Sequence, residues 1–233
     1  MVYSNIRNVR APAEVLALGA PFQFNYRNRC DGMDLLQAVY DEAVPACFFD
    51  PQYRGVLDKL AYGNEGVSRG QRRAALPQMD EVVIAGFIGQ IARVLIPSGH
   101  LFLWVDKFHL CTGISHWLPE NLMVVDMLVW NKGKMGMGYR TRRQCEYCFV
   151  IQKLPVRAKG VWAIHNIPDV WEEKCSKEYP HAKPVGLQAR LIEAVSNPGD
   201  VIVDPAAGSF SVLEACQKTG RRFLGGDLVS GVE

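Results

Sequence analysis

Two short stretches of this chain carry side chains that could do chemistry. Phe48-Phe49-Asp50-Pro51-Gln52-Tyr53 closes an apolar run near the start, and Asp204-Pro205-Ala206-Ala207-Gly208-Ser209 closes another near the far end. In the first, the Asp50 carboxylate and the Pro51 carbonyl are neighbouring acceptors, and Tyr53 offers an aromatic face. An amino nitrogen conjugated to a heteroaromatic ring is a poor nucleophile. To attack, it must become more tetrahedral, and positive charge then develops on it. Acceptors aimed at its N–H bonds stabilise that charge where it appears. Asp50 is the expected catalytic acceptor, with Pro51 assisting and Tyr53 stacking on the ring. A base inside a duplex would first have to be flipped out of the stack. Taken alone, Asp50-Pro51 also reads as a plain turn after a buried strand.

The second stretch follows Asp200-Val201-Ile202-Val203-Asp204, which reads as a buried parallel strand. Small residues let the backbone approach a ligand, and ligands of open α/β sheets sit at the carboxyl ends of strands. The next expected strand ends in Asp227, where such folds place an acid on ribose hydroxyls. Asp204, Ala207, Gly208, Ser209 and Asp227 are therefore candidate cofactor residues. The dinucleotide fingerprint G-x-G-x-x-G is absent, and Phe210 stands where a second glycine would be expected. S-adenosylmethionine fits such a loop better than a nicotinamide cofactor. The competing reading is a structural strand-to-helix turn.

These stretches need a scaffold, and short β-rich runs alternating with helical patterns predict one: an α/β protein with a seven-stranded, mostly parallel sheet flanked by helices. Strands are expected at Phe22–Tyr26, Ala46–Asp50, Leu101–Val105, Met123–Trp130, Tyr147–Gln152, Val201–Asp204 and Arg222–Asp227. Helices are expected at Met33–Asp41, Met79–Leu95, Lys107–Trp117, Pro184–Val195 and Phe210–Thr219, with Ile96-Pro97-Ser98-Gly99 as a stop signal. The length of 233 residues suits one domain over 1–233. Three polar segments interrupt the alternation: a catalytic-side loop at 54–77, a basic glycine-spaced segment at 131–143, and an irregular segment at 154–180.

A net charge of +2 does not by itself announce a polyanion partner. The seven cysteines lack framework spacing, which points to a reducing compartment. Arg7, Arg10, Pro12 and Glu14 break the start, so it does not read as a signal peptide, and no apolar run is long enough to span a bilayer. A soluble intracellular protein is expected.

With the two loops in hand, the chain resembles the amino-methyltransferases that modify DNA, whose catalytic motif is DPPY and whose cofactor motif is DP-F-x-G-x-G. The catalytic loop precedes the cofactor loop, as in the beta group, a circularly permuted form of the Rossmann-like methyltransferase fold. The resemblance runs from about Phe24 to Asp227. It implies transfer of a methyl group from S-adenosylmethionine to an exocyclic amino group in double-stranded DNA. Adenine N6 is preferred because Asp rather than Ser opens the motif; cytosine N4 is the near rival. A silent DNA-binding relative is a further alternative, and an RNA or protein-glutamine enzyme a third, although those usually open the motif with Asn.

Asn28 to Leu36 resembles the segment that brings Asp31 and Gly32 to the cofactor adenine, and Tyr179-Pro180-His181-Ala182-Lys183-Pro184 resembles H-P-T-Q-K-P, which gives His181 and Lys183 the methionine end of the cofactor. The chain departs from the family pattern at Gln52, Ala206, Phe210 and Ser211, and it ends sooner after Asp227, so a terminal helix is expected to be missing or replaced. Bacterial or phage cytoplasm, near the nucleoid, is the implied location.

Given that context, Arg54, Arg69, Arg72 and Arg73 after the catalytic loop, and Lys132, Lys134, Arg140, Arg142 and Arg143 in the basic segment, are expected to neutralise DNA phosphates. A solvated charged loop is the bland alternative. The stretch 154–180 sits where the beta group carries target recognition and is short, which favours help from other loops or a homodimer. No metal is expected. Cys145 and Cys148 lie in a predicted strand and face opposite sides, the scattered histidines lack ligand spacing, and Trp104, Trp117 and Trp130 read as core.

Overall fold

The computed structural model describes residues 11, 14–52, 79–136, 141–174 and 182–232. Within them, alternating runs form α1 (Gly32–Ala38), β1 (Val44–Phe49), α2 (Glu81–Val94), β2 (Leu95–Val105), α3 (Lys107–Thr112), β3 (Leu122–Asn131), β4 (Cys145–Lys153), β5 (Val170–Glu172), α4 (Val185–Val195), β6 (Val201–Asp204), α5 (Ser211–Thr219) and β7 (Arg222–Gly225). A single 3₁₀ turn at Ser115–Trp117 follows α3.

The strands make one seven-stranded sheet in the order β5-β3-β4-β2-β1-β6-β7. β1 pairs parallel with both β2 and β6, β6 with β7, and β3 with β5, while β4 runs antiparallel between β2 and β3. From β1 the chain crosses through α2 to β2 on one side; from β6 it crosses through α5 to β7 on the other. The strand order therefore reverses between β1 and β6. In doubly wound sheets that point opens a crevice at the carboxyl ends of the strands.

Strand periodicity sends alternate side chains to two cores. Cys47, Phe49, Leu101, Leu103 and Val203 face the layer of α1 and α2, where Ile84, Ile88 and Ile91 present one helical face. Ala46, Phe48, Phe102, Trp104, Trp130, Cys148 and Ile202 face α4 and α5, against Leu187, Leu191 and Phe210. Asp80 caps α2 by accepting from Val83 N at 2.8 Å, and Gly220, left-handed at φ 69°, ends α5.

Three expectations are corrected. Phe22–Tyr26 lies beside β7 but is a turn, not a strand: Asn25 is left-handed at φ 57°, and its side chain rather than its backbone accepts from Phe223 N, at 2.8 Å. The buried Asn28 amide then braces the turn, bonding Gln23 O and Gly225 O at 2.9 Å each. The seventh strand is instead β5, inside the stretch read as irregular, where Trp171 pairs with Trp130. Finally, β2 begins at Leu95, because Ile96 to Gly99 form an irregularity within the strand, with Ser98 at φ 63°, rather than a gap before it.

No helix among the described residues is long and apolar enough to cross a membrane. Cys30, Cys47, Cys111, Cys145, Cys148 and Cys216 are free thiols.

Candidate active site

Because β1 and β6 are adjacent and parallel, the loops that leave them emerge side by side. A cavity of about 410 Å³ lies between them and is lined by Phe48, Phe49, Asp50 and Gln52 from one and by Asp204 to Ser209 from the other. Asp31, Gly32, Lys183 and Asp227 line the same cavity. The two motifs thus face one crevice. Pro51 is buried beneath Asp50, and Met79 N donates to Gln52 O at 2.9 Å, closing the mouth beside α2.

Close packing holds the cofactor side. A Cβ on Gly32 would stand 1.9 Å from Pro205 O, and one on Gly225 2.4 Å from Asp204 O, so only glycine lets α1 and β7 approach the loop. Asp31 caps α1 by accepting from Met33 N at 2.7 Å. Asp227 accepts from Val229 N at 2.9 Å and from Ser230 N at 2.6 Å, which fixes its carboxylate at the rim. Burial raises the pKa of Asp204 to about 8, the Asp50 and Asp227 charges add to this, and the Ala206 N–H opposes it. Burial, with Asp31, Asp34 and Asp227, also raises the Cys30 thiol to about 11. That thiol is protonated at neutral pH.

Phe210 keeps the backbone shape that a glycine would give: it is left-handed at φ 61° immediately before α5. Its ring turns away from the crevice into the core, 6.0 Å from Phe223, with Arg27 over it at 5.3 Å.

An ion-pair chain runs into the catalytic side. Lys183 Nζ lies 2.7 Å from Asp50 Oδ2 and 2.9 Å from Glu146 Oε2, and Lys132 binds the other Glu146 oxygen. The Lys183 ammonium also stands over the Trp104 ring, 5.3 Å from its centroid. Burial alone would raise the Glu146 carboxyl, but Lys183 and Lys132 hold it down at about 2. Burial alone would lower the Lys183 ammonium, and Asp50 and Glu146 raise it instead. Lys132, expected from the sequence to contact phosphate, is ion-paired with Glu146 within this chain.

Of the other basic residues, Lys134 and Arg142 are exposed and Arg143 packs over Phe108 at 5.7 Å. Lys107 Nζ reaches Thr141 Oγ1 at 3.2 Å, tying the segment to α3. Because β3 runs parallel to β1 and β2, its carboxyl end at Asn131 lies on the same side of the sheet as the crevice. Tyr53, Arg54, Arg69, Arg72, Arg73, Arg140 and His181 lie outside the described residues, as does the whole of the 54–77 loop. Residues 154–174 attach to the rest of the chain at α4 and β3: Ala163 N donates to Ala194 O of α4 at 2.8 Å, and β5 extends the sheet edge beside β3.

Sequence reading missed Trp104, Glu146 and Gln188. Trp104 and Gln188 line the cavity, and Trp104 Nε1 and Gln188 Oε1 are buried with no hydrogen-bond partner among the described residues. Buried polar atoms of this kind suit a polar guest. With an apolar slot of Met79, Val83 and Phe87, a rim acid in Asp227 and a small-residue loop, the wall fits a nucleoside that carries an amino-acid tail.

The N6/N4 DNA methylase family matches residues 78–231. Over 210 residues the chain is 56% identical to the type II methyltransferase M.HhaII of Haemophilus parahaemolyticus, covering 89% of this chain and 92% of that one. The chain belongs to the N6/N4 DNA methylase family. Two solved structures share the methylase's fold. M1.HpyAVI in complex with S-adenosylmethionine matches with a TM-score of 0.62 at 18% identity, covering 87% of this chain and 92% of that one. The cytosine-N4-specific PvuII DNA methyltransferase matches with a TM-score of 0.58 at 11% identity, covering 89% and 85%. The methylase's sheet is thus the seven-stranded, mostly parallel methyltransferase sheet, with its catalytic loop before its cofactor loop.

Proposed function

We propose that this methylase transfers a methyl group from S-adenosylmethionine to adenine N6 in double-stranded DNA after flipping the base, as the modification half of a restriction-modification pair. The observation that carries the reading is the shared crevice: Asp50 and the Asp204–Ser209 loop line one cavity. When bound, S-adenosylmethionine supplies a methyl group already activated by its sulfonium.

The protein's work is alignment and charge stabilisation. Asp50 and the Pro51 carbonyl accept the N–H bonds of the target amino group, and Tyr53 stacks on the base. Asp227 takes the ribose hydroxyls, Asp31 and Gly32 border the adenine of the cofactor, and Asp204, Ala207, Gly208 and Ser209 line its path. Lys183 and His181 serve the methionine end. An ammonium has three N–H donors, so Lys183, already bonded to Asp50 and Glu146, can still donate to a carboxylate. Arg54, Arg69, Arg72, Arg73, Lys134, Arg140, Arg142 and Arg143 bind phosphates. The shortness of the 154–180 stretch supports site reading with help from other loops or by a homodimer.

The choice of adenine rests on Asp50 opening the catalytic motif. The cytosine-N4 enzyme on the same fold gives a second reading, transfer to cytosine N4. The test is methylation of DNA, digestion to nucleosides and mass spectrometry. N6-methyl-2′-deoxyadenosine is expected from the wild type and none from Asp50→Ala. N4-methylcytosine would replace the first reading by the second, and full turnover in Asp50→Ala would remove the catalytic assignment.

A further inference from the structure

Glu146 stands on β4, two residues before the buried Cys148 and paired across the sheet with Trp130. Strand periodicity puts it on the same face as Trp104, Trp130 and Cys148, the face that meets α4. Lys183, just before α4, descends onto that face between two carboxylates: Asp50 Oδ2 at 2.7 Å and Glu146 Oε2 at 2.9 Å. Both ions are withdrawn from solvent, with only 15% of the Lys183 side chain and 28% of that of Glu146 exposed. No part of the proposed reaction gives Glu146 a role. A partly buried carboxylate with both oxygens on cations would cost stability if either partner were lost. Such a group asks for a functional account.

We propose that Glu146 is a positioning residue for methyl transfer: by binding Lys183 opposite Asp50, it holds the lysine in place and thereby fixes how Asp50 presents its carboxylate to the target amino group. This rests on the reading that Asp50 is the acceptor. Among the described residues, Asp50 and Glu146 share the Lys183 ammonium, and Lys132 binds the other oxygen of Glu146. With Glu146 sharing the ammonium, Lys183 fixes the rotation of Asp50 without drawing its whole charge. With Glu146 neutralised, Lys183 has one carboxylate left and closes onto it, in competition with the target's N–H. Glu146 remains ionised over any working pH, since the two lysines hold it at about 2.

The test compares wild type, Glu146→Gln, Lys183→Met and the double variant, with kcat measured per folded molecule at saturating DNA and S-adenosylmethionine, and KM for DNA measured separately. Glu146→Gln is expected to lower kcat on the order of 100-fold, the scale on which a misplaced catalytic group acts, with KM for DNA unchanged. The double variant is expected to be no slower than Lys183→Met, because Glu146 acts through that lysine. Wild-type kcat in Glu146→Gln would overturn the proposal, as would losses that multiply in the double variant or a defect confined to the melting temperature. A wild type that transfers no methyl group to DNA would remove the underlying reading, and this inference with it.

Discussion

At the scale of single residues, the buried Asp204 carries a testable charge effect. Its carboxyl ionises near 3.8 ordinarily and is raised to about 8, first by burial. A raised folded-state value means that the unfolded chain gives up the proton first. The contribution to stability is therefore full below about 3.8, shrinks as pH rises to about 8, and changes no further above that. Asp204→Asn, which resembles the protonated acid, is expected to lose this slope. Thermal melts of the two proteins from pH 5 to 9 should converge toward acid and separate toward base; parallel curves would contradict the raised ionisation. Asp204 was legible in the sequence because Asp204 to Ser209, like Asp50-Pro51, is contiguous, and a strand that ends before a small-residue loop is a local pattern. Glu146 was not, because its ion pairs depend on β4 lying antiparallel to β2 and on Lys183 arriving just before α4, neither of which leaves a mark near residue 146. The nearest signal is a lone acid in the strand Cys145 to Lys153, two places from a buried cysteine.

At the scale of elements, helices were easier to read than strands. The apolar faces of α2, α4 and α5 repeat at helical spacing within one segment, and their caps are local. β5 was missed because three residues at a sheet edge carry no periodicity, and Phe22–Tyr26 was misread because a strand-like composition was overruled by the Asn25 and Asn28 side chains. The turn into α5 shows a similar contest between local preference and packing. Phe210 takes a left-handed φ of 61° that a side chain resists, and its buried ring against Phe223 offsets that strain. Phe210→Ala should lose the packing and keep the strain, costing about 3–5 kcal/mol in urea unfolding. Phe210→Gly loses the same packing but relieves the backbone by about 1–2 kcal/mol, so it should be the more stable of the two variants. The reverse order would mean that the left-handed turn is not strained.

At the scale of the whole molecule, the reversal of strand order between β1 and β6 brings sequence-distant loops together, and the parallel direction of β3 puts its carboxyl end on the same side of the sheet. Resemblance to a permuted methyltransferase anticipated this arrangement; composition and periodicity gave only the layers. If the basic segment is the DNA surface proposed above, it has a defined electrostatic signature. Each phosphate neutralised contributes about −0.9 to the slope of log K against log salt. Lys132 is paired with Glu146 and should contribute little, whereas Lys134 and Arg142 are exposed. Neutralising Arg140, Arg142 and Arg143 together is expected to weaken binding to all sequences alike and to flatten the slope by up to about 2.7, while Lys132→Met leaves the slope unchanged. Fluorescence anisotropy across a salt series measures both. An unchanged slope in the triple variant would take the segment out of the DNA interface, and a flattened slope in Lys132→Met would mean that its ion pair with Glu146 opens when DNA binds.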